Sequence, residues 1–375
     1  MAETTKIAWT DSTWNPWLGC TRCSPGCMHC YAEADNKHRG RPCWGAGAPR
    51  LRLSEGYWSN LRQWNNKAAA GTRGKDGKRW LVFLGDECDI FDDEGLQEER
   101  ERMWAEVKAC QSLTFQVLTK RPQNFAKYLP ADWGEGYPNV WLGVTVDDRK
   151  HGYPRVDILR QTNAVVRFLS CEPLLEGIPD INLTGIDWVI VGGESGHGSR
   201  PFDLAWARSL RDHCASENIA FFFKQVGSKP QEDSNPFPIL NRAESGKRDI
   251  HGKSPLNFPA DLQSRQWPDS PAQLQPITTQ WARSLGMSMS EHPRAEKRHL
   301  AAVKAARTKA RNKALMGAVV QISEADPHPV PEEELKAVLH WLMSIPRAGI
   351  DSDMATAAIA SLHAIRRVNA GGAHA

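Results

Sequence analysis

Seven short apolar runs recur within the first 227 residues of this 375-residue chain, and most carry apolar side chains on both alternations of a strand. They are "KIAW" (6–9), "LVFL" (81–84), "FQVL" (115–118), "NVWLGV" (139–144), "VVRFL" (165–169), "WVIV" (188–191) and "AFFF" (220–223). A strand with one wet face alternates apolar and polar residues. A strand buried on both faces does not, and such burial marks a parallel sheet covered by helices. From residue 81 onward the runs begin every 23 to 34 positions, which leaves room for one helix between each pair. Residues 94–110 place Leu96, Met103, Trp104 and Val107 on one stripe. Residues 203–218 open on Asp203, a good N-cap, and align Leu204, Ala207, Leu210 and Cys214, while Pro122 suits the first turn of a helix over 121–129. The pattern predicts an α/β fold, a partial or full parallel (β/α) barrel with right-handed crossovers.

The rest of the chain differs in character. Residues 36–79, with "GAGAPR" and "GTRGKDGKR", read as a surface insertion and a candidate lid. Residues 228–290, rich in Pro, Ser and Gln, read as a wrapping loop or linker. Residues 291–375 carry Ala-rich helical patterns at 294–318 and 332–369. The expected organisation is a barrel domain over 1–227, the loop, and a helical, basic C-terminal extension. The net charge of +3 does not by itself imply nucleic-acid binding, but eight Lys/Arg residues face one acid, Glu296, between Arg294 and Lys313. Clustered cations of this kind either track phosphates by counterion release or form a solvated helix. Trp58, Arg62 and Trp64 in the insertion are candidates for stacking on a base, or for burial. No apolar run approaches the roughly 20 residues of a membrane span. The start, "MAETTKIAWTDS", lacks the basic-then-apolar pattern of a signal peptide. A cytoplasmic location is expected, the host cytoplasm if the chain is phage-encoded.

Nine cysteines without a secretion signal argue against a disulfide framework. Cys43, Cys88, Cys110, Cys171 and Cys214 lie in or near apolar segments and are expected to be buried thiols. The other four crowd into "CTRCSPGCMHC", where Cys20, Cys23, Cys27 and Cys30 give C-x2-C-x3-C-x2-C. They read as metal ligands. A structural zinc site joins two knuckles through a longer loop, so this one would need His38 or Cys43 to complete it, and the ferredoxin order C-x2-C-x2-C-x3-C-P is absent. Two overlapping trios remain: Cys23, Cys27 and Cys30 as C-x3-C-x2-C, or Cys20, Cys27 and Cys30 as C-x6-C-x2-C. Cys27 and Cys30 belong to both.

The loop "WNPWLGCTRCSPGCMHCYAE", with "FQVLTKRP", "NVWLGVTVDD", "RFLSCEPLL", "DWVIVGGESG" and "FFFKQVG", resembles the phage-associated Gp37/Gp68 family, a group similar to radical S-adenosylmethionine (radical SAM) enzymes. The match spans roughly residues 5–227. Members of that family commonly show C-x6-C-x2-C with an apolar residue where Cys23 stands. The superfamily tends to carry an aromatic residue before its last cysteine, where this chain has His29.

The resemblance implies a radical SAM barrel and a [4Fe–4S] cluster held by three thiolates, with one iron open to the amino and carboxylate groups of S-adenosyl-L-methionine. It further implies one-electron cleavage to a 5′-deoxyadenosyl radical, and an external electron donor of flavodoxin or ferredoxin type. Chemistry in such barrels gathers at the C-terminal ends of the strands, where candidate cofactor contacts follow. Gly85, Asp86 and Glu87 stand where the superfamily often has a Gly-Gly-Glu turn, or form a solvated acidic turn. Thr145 and Asp147 are candidates for ribose hydroxyls, or cap the next helix. Ser170 and Glu172 flank Cys171. Gly192 and Gly193 offer backbone N–H groups beside Glu194. Glu172, Glu194 and Lys120 are the catalytic candidates, and Lys120, Arg121 and Lys224 are candidates for a carboxylate or phosphate.

A phage family points to modification of DNA or its nucleotides. An isomerase rearranging an amino-acid adduct on the thymine methyl group, in thymidine hypermodification that evades restriction, is the most concrete form. A spore-photoproduct-lyase-like repair enzyme is the enzymatic alternative. A non-catalytic nucleic-acid-binding protein with a structural metal is the alternative of another class.

Overall fold

The computed structural model describes residues 3–239 and 249–269, all in the first of two units into which the chain divides, Met1–Leu274. The expected helical extension over 291–375, with its basic segment 294–313, lies outside the described residues.

Seven strands form one sheet: β1 (Ser12–Trp14), β2 (Trp80–Leu84), β3 (Leu113–Thr119), β4 (Val140–Thr145), β5 (Val166–Cys171), β6 (Trp188–Gly192) and β7 (Ala220–Gln225). Every pairing is parallel, and the spatial order is the sequence order. The sheet curls into a half-barrel, and β1 does not pair with β7. The α/β class and the partial parallel barrel expected from the runs are therefore observed. Helices α1 (Tyr31–His38), α2 (Glu55–Ala69), α3 (Gln97–Ala109), α4 (Arg149–Gln161) and α5 (Leu204–Ser216) lie between strands. Asp148 caps α4 by accepting from His151 N at 2.7 Å. The expected Asp203 cap of α5 accepts from Ala205 N at 2.9 Å.

The two-sided apolarity of the runs has its counterpart in two separate cores. Val82, Leu84, Phe115, Val117, Leu142, Val144, Val189 and Val191 point outward beneath the helices. The alternate positions Leu81, Phe83, Trp141, Phe168, Trp188, Ile190 and Phe222 point inward and fill the floor of the half-barrel. Gly143 sits on that inner face because a Cβ there would lie 2.5 Å from the Phe168 ring. The same parity carries Lys120, Thr145, Ser170, Gly192 and Lys224 to the upper, C-terminal rim of the inner face.

Two expectations change. "KIAW" is not the first strand. β1 begins six residues later at Ser12, and Trp9 instead plugs the barrel floor against Phe83 and Trp188. Its short polar sequence Ser-Thr-Trp hid it. The stretch 36–79 is no irregular insertion throughout, because α2 presents Trp58, Leu61, Trp64 and Ala68 to the core as an ordinary crossover helix. Trp58 and Trp64 are 3% and 4% exposed and cannot stack on a base, while Arg62 is held by Glu106 at 2.9 Å.

Of the expected wrapping loop, residues 249–269 run along the edge strand β7. Phe223 N donates to Ser264 O, Gln266 N donates to Phe221 O, and Phe258 and Trp267 pack on the rings of Phe223 and Phe222. This covers an edge that would otherwise offer unpaired backbone groups.

Candidate functional site

The four-cysteine loop leaves β1 and crosses the C-terminal rim. Gly19 starts it with φ +111, and a Cβ there would lie 2.1 Å from the Cys43 carbonyl, so the close approach demands glycine. Gly19 N donates to Glu87 O at 3.0 Å. A single 3₁₀ turn, Pro25–Cys27, follows, and Cys30 then sits at the N-cap position of α1.

Three polar clamps, from three different strand ends, fix this loop. After β3, Arg121 donates to Asp89 Oδ2 at 3.1 Å, to Thr21 O at 2.5 Å and to Cys20 Sγ at 3.6 Å. After β4, Asp147 accepts from the Ser24 hydroxyl, from Gly26 N at 2.8 Å and from Arg155 Nη1 at 2.7 Å. Asp147 is fully buried. Burial opposes its charge, yet Arg155, Ser24, Lys120 and Gly26 together hold its carboxyl below the usual range. After β6, Glu194 accepts from Arg200 N at 2.8 Å and Nε at 2.9 Å, and lies 3.1 Å from His29 Nδ1. Arg200 Nη1 in turn reaches Pro25 O at 3.0 Å.

The thiols gather under these clamps. The contact with Cys23, helped by Lys120, holds the Cys27 thiol below the usual thiol range, while the Cys23 thiol, beside Cys27 and partly buried, is pushed up. Burial raises Cys30, against the pull of the Glu33 and Ala32 backbone N–H groups and Lys120. Burial, with Asp89 beside it, pushes Cys20 up to about 12. Lys120 makes no ion pair among the described residues. Desolvation opposes its charge, but Cys27, Asp147, Cys30 and Cys23 around it prevail and raise its pKa. The five scattered cysteines are buried free thiols, as expected.

The remaining candidates divide between clamp and cavity. Glu87 is buried and accepts from Asn36 Nδ2 at 3.0 Å, which ties α1 to the rim. Asp147 and Glu194 have their carboxylates occupied in the clamps. Gly193 is a packing glycine whose added Cβ would lie 2.5 Å from Val226 O, and its N–H is spent on Gln225 O at 3.2 Å. Thr145 and Ser170 are buried at the top of the inner face.

Gly85, with φ +90, turns the chain after β2. Tyr31 O–H donates to Asp86 O at 2.9 Å, and its ring lies near Cys30 and Glu172, so Asp86, Tyr31 and Glu172 flank the thiols. Glu172, joined to Pro173 by a cis peptide bond, pairs with Lys224. Sequence reasoning did not find Ser24, Gly26, Asp89, Arg155, Arg200 or Gln225. Their partners are distant in the chain, and only the "SPG" turn between the cysteines hinted at a fixed loop.

Burial pushes Asp86 up to about 6, with Glu87 adding to it and Asn15, at 2.6 Å, opposing. A carboxyl raised from 3.8 to about 6 binds more protons in the native state than in the unfolded state between those values. Stability therefore falls as pH rises from about 4 to 6. Asp86→Asn keeps an acceptor for Asn15 and is expected to flatten this slope. The expected gain at pH 7 is up to about 3 kcal/mol, read from urea melts at pH 4, 5.5 and 7. An unchanged slope in the variant would remove Asp86 as its cause.

The donor set fits an iron–sulfur cluster. Four thiols sit on one clamped loop, one of them already biased to thiolate, with Lys120 and Arg121 alongside to offset cluster charge. Among the described residues no three His, Cys, Asp or Glu side chains converge on a single ion position. A cube takes one thiolate per iron, so its ligands spread around it rather than meet at a point. No helix among the described residues is long and apolar enough to cross a membrane.

No curated protein and no solved structure matches the chain. The sequence profile of a family described as a protein of unknown function (DUF5131) matches residues 4–323, and with most of its length covered the chain belongs to that DUF5131 family.

Proposed function

We infer that the protein is a radical SAM enzyme that acts on a nucleic-acid base or nucleotide. A [4Fe–4S] cluster would be held by Cys27, Cys30 and one of Cys20 and Cys23, on a half-barrel of the radical SAM type. The observation that carries the reading is the clamped four-cysteine loop lying across the C-terminal rim of a parallel half-barrel, beside Lys120, which has no ion pair among the described residues. When bound, such a cluster and S-adenosyl-L-methionine would supply one-electron cleavage of the sulfonium and abstraction of a hydrogen atom from an unactivated C–H bond.

The chain's own residues do the rest. Lys120 would offer a cation to the methionine carboxylate, and Asp86 and its carbonyl, which accepts from Tyr31, would offer acceptors to its ammonium group. The aromatic floor of Trp141, Phe168, Trp188 and Phe222 closes the barrel from below and keeps water away from the rim. Glu172 and Lys224 pair at the ends of β5 and β7, where a substrate would meet them. Base hypermodification by an isomerase is the specific form favoured by the family resemblance, with an external flavodoxin- or ferredoxin-type donor supplying the electron.

Anaerobic reconstitution with iron and sulfide is expected to give a brown protein absorbing near about 400 nm. Dithionite reduction is then expected to release 5′-deoxyadenosine and methionine, slowly, even without substrate. A colourless zinc-loaded protein, or a cluster that never cleaves S-adenosyl-L-methionine, would overturn the reading.

A further inference from the structure

The side of the mouth formed by the ends of β5, β6 and β7 holds two buried acceptors, Oε1 of Gln225 and Oε1 of Glu172, that have no hydrogen-bond partner among the described residues. Gln225 is 5% exposed. Its Nε2 donates to Gly193 O at 2.7 Å, which fixes the amide orientation and leaves Oε1 buried without a hydrogen-bond partner. Glu172 gives one carboxylate oxygen to Lys224, and its other oxygen, Oε1, is likewise buried and unpartnered.

The two side chains stand on either side of Gly192. A Cβ on Gly192 would lie 3.2 Å from Gln225 Cγ and 3.6 Å from Glu172 Cγ, so the missing side chain leaves a narrow notch, about one methyl group wide, between them. Directly below it on the same inner face of β6 lie Ile190 and Trp188. A buried acceptor without a donor is costly, and in native proteins such groups are the exception. A ligand that supplies N–H donors to this notch repairs both at once.

We propose that Glu172, Gln225 and the Gly192 notch form a subsite for the N–H-bearing edge of a nucleobase. Its phosphate would face Lys253 at the exposed side. The choice of class follows from charge and shape. Glu172 pairs with Lys224, and of the other charges around exposed Lys253 the acid Asp249 is set against Lys6, so Lys253 itself leaves the wall net positive. An ammonium group is disfavoured there, whereas a neutral N–H edge attached to an anionic group is favoured. So narrow a gap admits the edge of a planar group rather than a branched chain. The inference rests on the enzyme reading only in taking this mouth as the substrate's side.

The test is calorimetric titration of the reconstituted full-length protein with the four deoxynucleoside monophosphates and with 2-deoxyribose 5-phosphate, which lacks the base. At least one nucleotide is expected to bind saturably, and the base-less sugar phosphate about tenfold or more weaker. Gln225→Met removes the acceptor at similar size. It should weaken the nucleotide about tenfold while leaving the sugar phosphate unchanged, and Gly192→Ala should act in the same direction by filling the notch. Lys253→Met should weaken both ligands. A short single-stranded DNA run in parallel separates a base presented within a strand from a free nucleotide. If none of these ligands binds, or the sugar phosphate binds as well as the nucleotides, or Gln225→Met changes nothing, the subsite is refuted. Cleavage of S-adenosyl-L-methionine measured on the same wild-type preparation keeps the two claims apart. Cleavage without nucleotide binding refutes the subsite alone, and binding without cleavage refutes the enzyme reading alone.

Discussion

Cys27→Ala and Cys30→Ala should each abolish the proposed iron–sulfur cluster, taking reconstituted iron from about four per chain to well below one and removing the brown absorbance. Cleavage of S-adenosyl-L-methionine should vanish with it. Both cysteines belong to either possible trio, so neither loss can be covered by changing trio. Cys27 is also the thiol that the site already biases toward the anion a metal requires, through the Cys23 hydrogen bond and Lys120. Since these side chains are partly exposed and lie outside both cores, the fold should survive, and the far-ultraviolet spectrum of each variant should match the wild type. Retention of a full cluster in either variant would refute the ligand assignment. The third ligand is read from the remaining pair. Whichever of Cys20→Ala and Cys23→Ala loses iron identifies it, the other acting as an outer thiol beside Arg121 or Cys27.

Six of the seven strands were legible because two-sided burial leaves a plain imprint, an apolar residue at nearly every position. β1 was not, because Ser12 and Thr13 are polar side chains satisfied inside the fold. Ser12 accepts from Trp80 Nε1 and donates to Glu3 O, whereas the apolar "KIAW" before it contributes Trp9 as a plug rather than a strand. α2 was hidden by the glycine-rich stretches around it, although Trp58, Leu61, Trp64 and Ala68 carry a helical spacing.

At the site, position was legible and role was not. That Asp147, Glu194 and Arg121 follow strands could be read from the chain. That each spends itself on the cysteine loop could not, since their partners Gly26, His29 and Thr21 lie 100 or more residues away. That one oxygen each of Glu172 and Gln225 lacks a partner among the described residues is a property of packing alone, with no signal in the local sequence.

Gly26→Ala should open the cysteine loop, and the reason can be isolated. The backbone at Gly26 does not require glycine, since its φ lies outside the left-handed region. The added Cβ, however, would sit 2.6 Å from Asp147 Oδ2 and 2.9 Å from its Cβ. Asp147 cannot retreat: it is fully buried and held by Arg155 at 2.7 Å. The loop must therefore lift, losing the Gly26 N–H and Ser24 hydroxyl bonds to a carboxylate that stays behind. Overpacking costs roughly 1–3 kcal/mol, and each hydrogen bond lost from a buried charge is worth about 1.5–3 kcal/mol. A net shift of about 3 kcal/mol moves the closed-to-open ratio of the loop by on the order of 100-fold. In protein without metal, Cys23 and Cys27 should react with a thiol reagent faster by up to that factor. Iron uptake should fall, while the melting of the two cores changes little. Asp147→Ala should open the loop as well, by removing the acceptor. It also removes the obstacle, so Gly26→Ala added to Asp147→Ala should cost almost nothing further. If the glycine substitution is as damaging in that background as in the wild type, the collision with Asp147 is not what fixes glycine at this position. The clamp after β4 would then lose its claim to hold the cysteines in place.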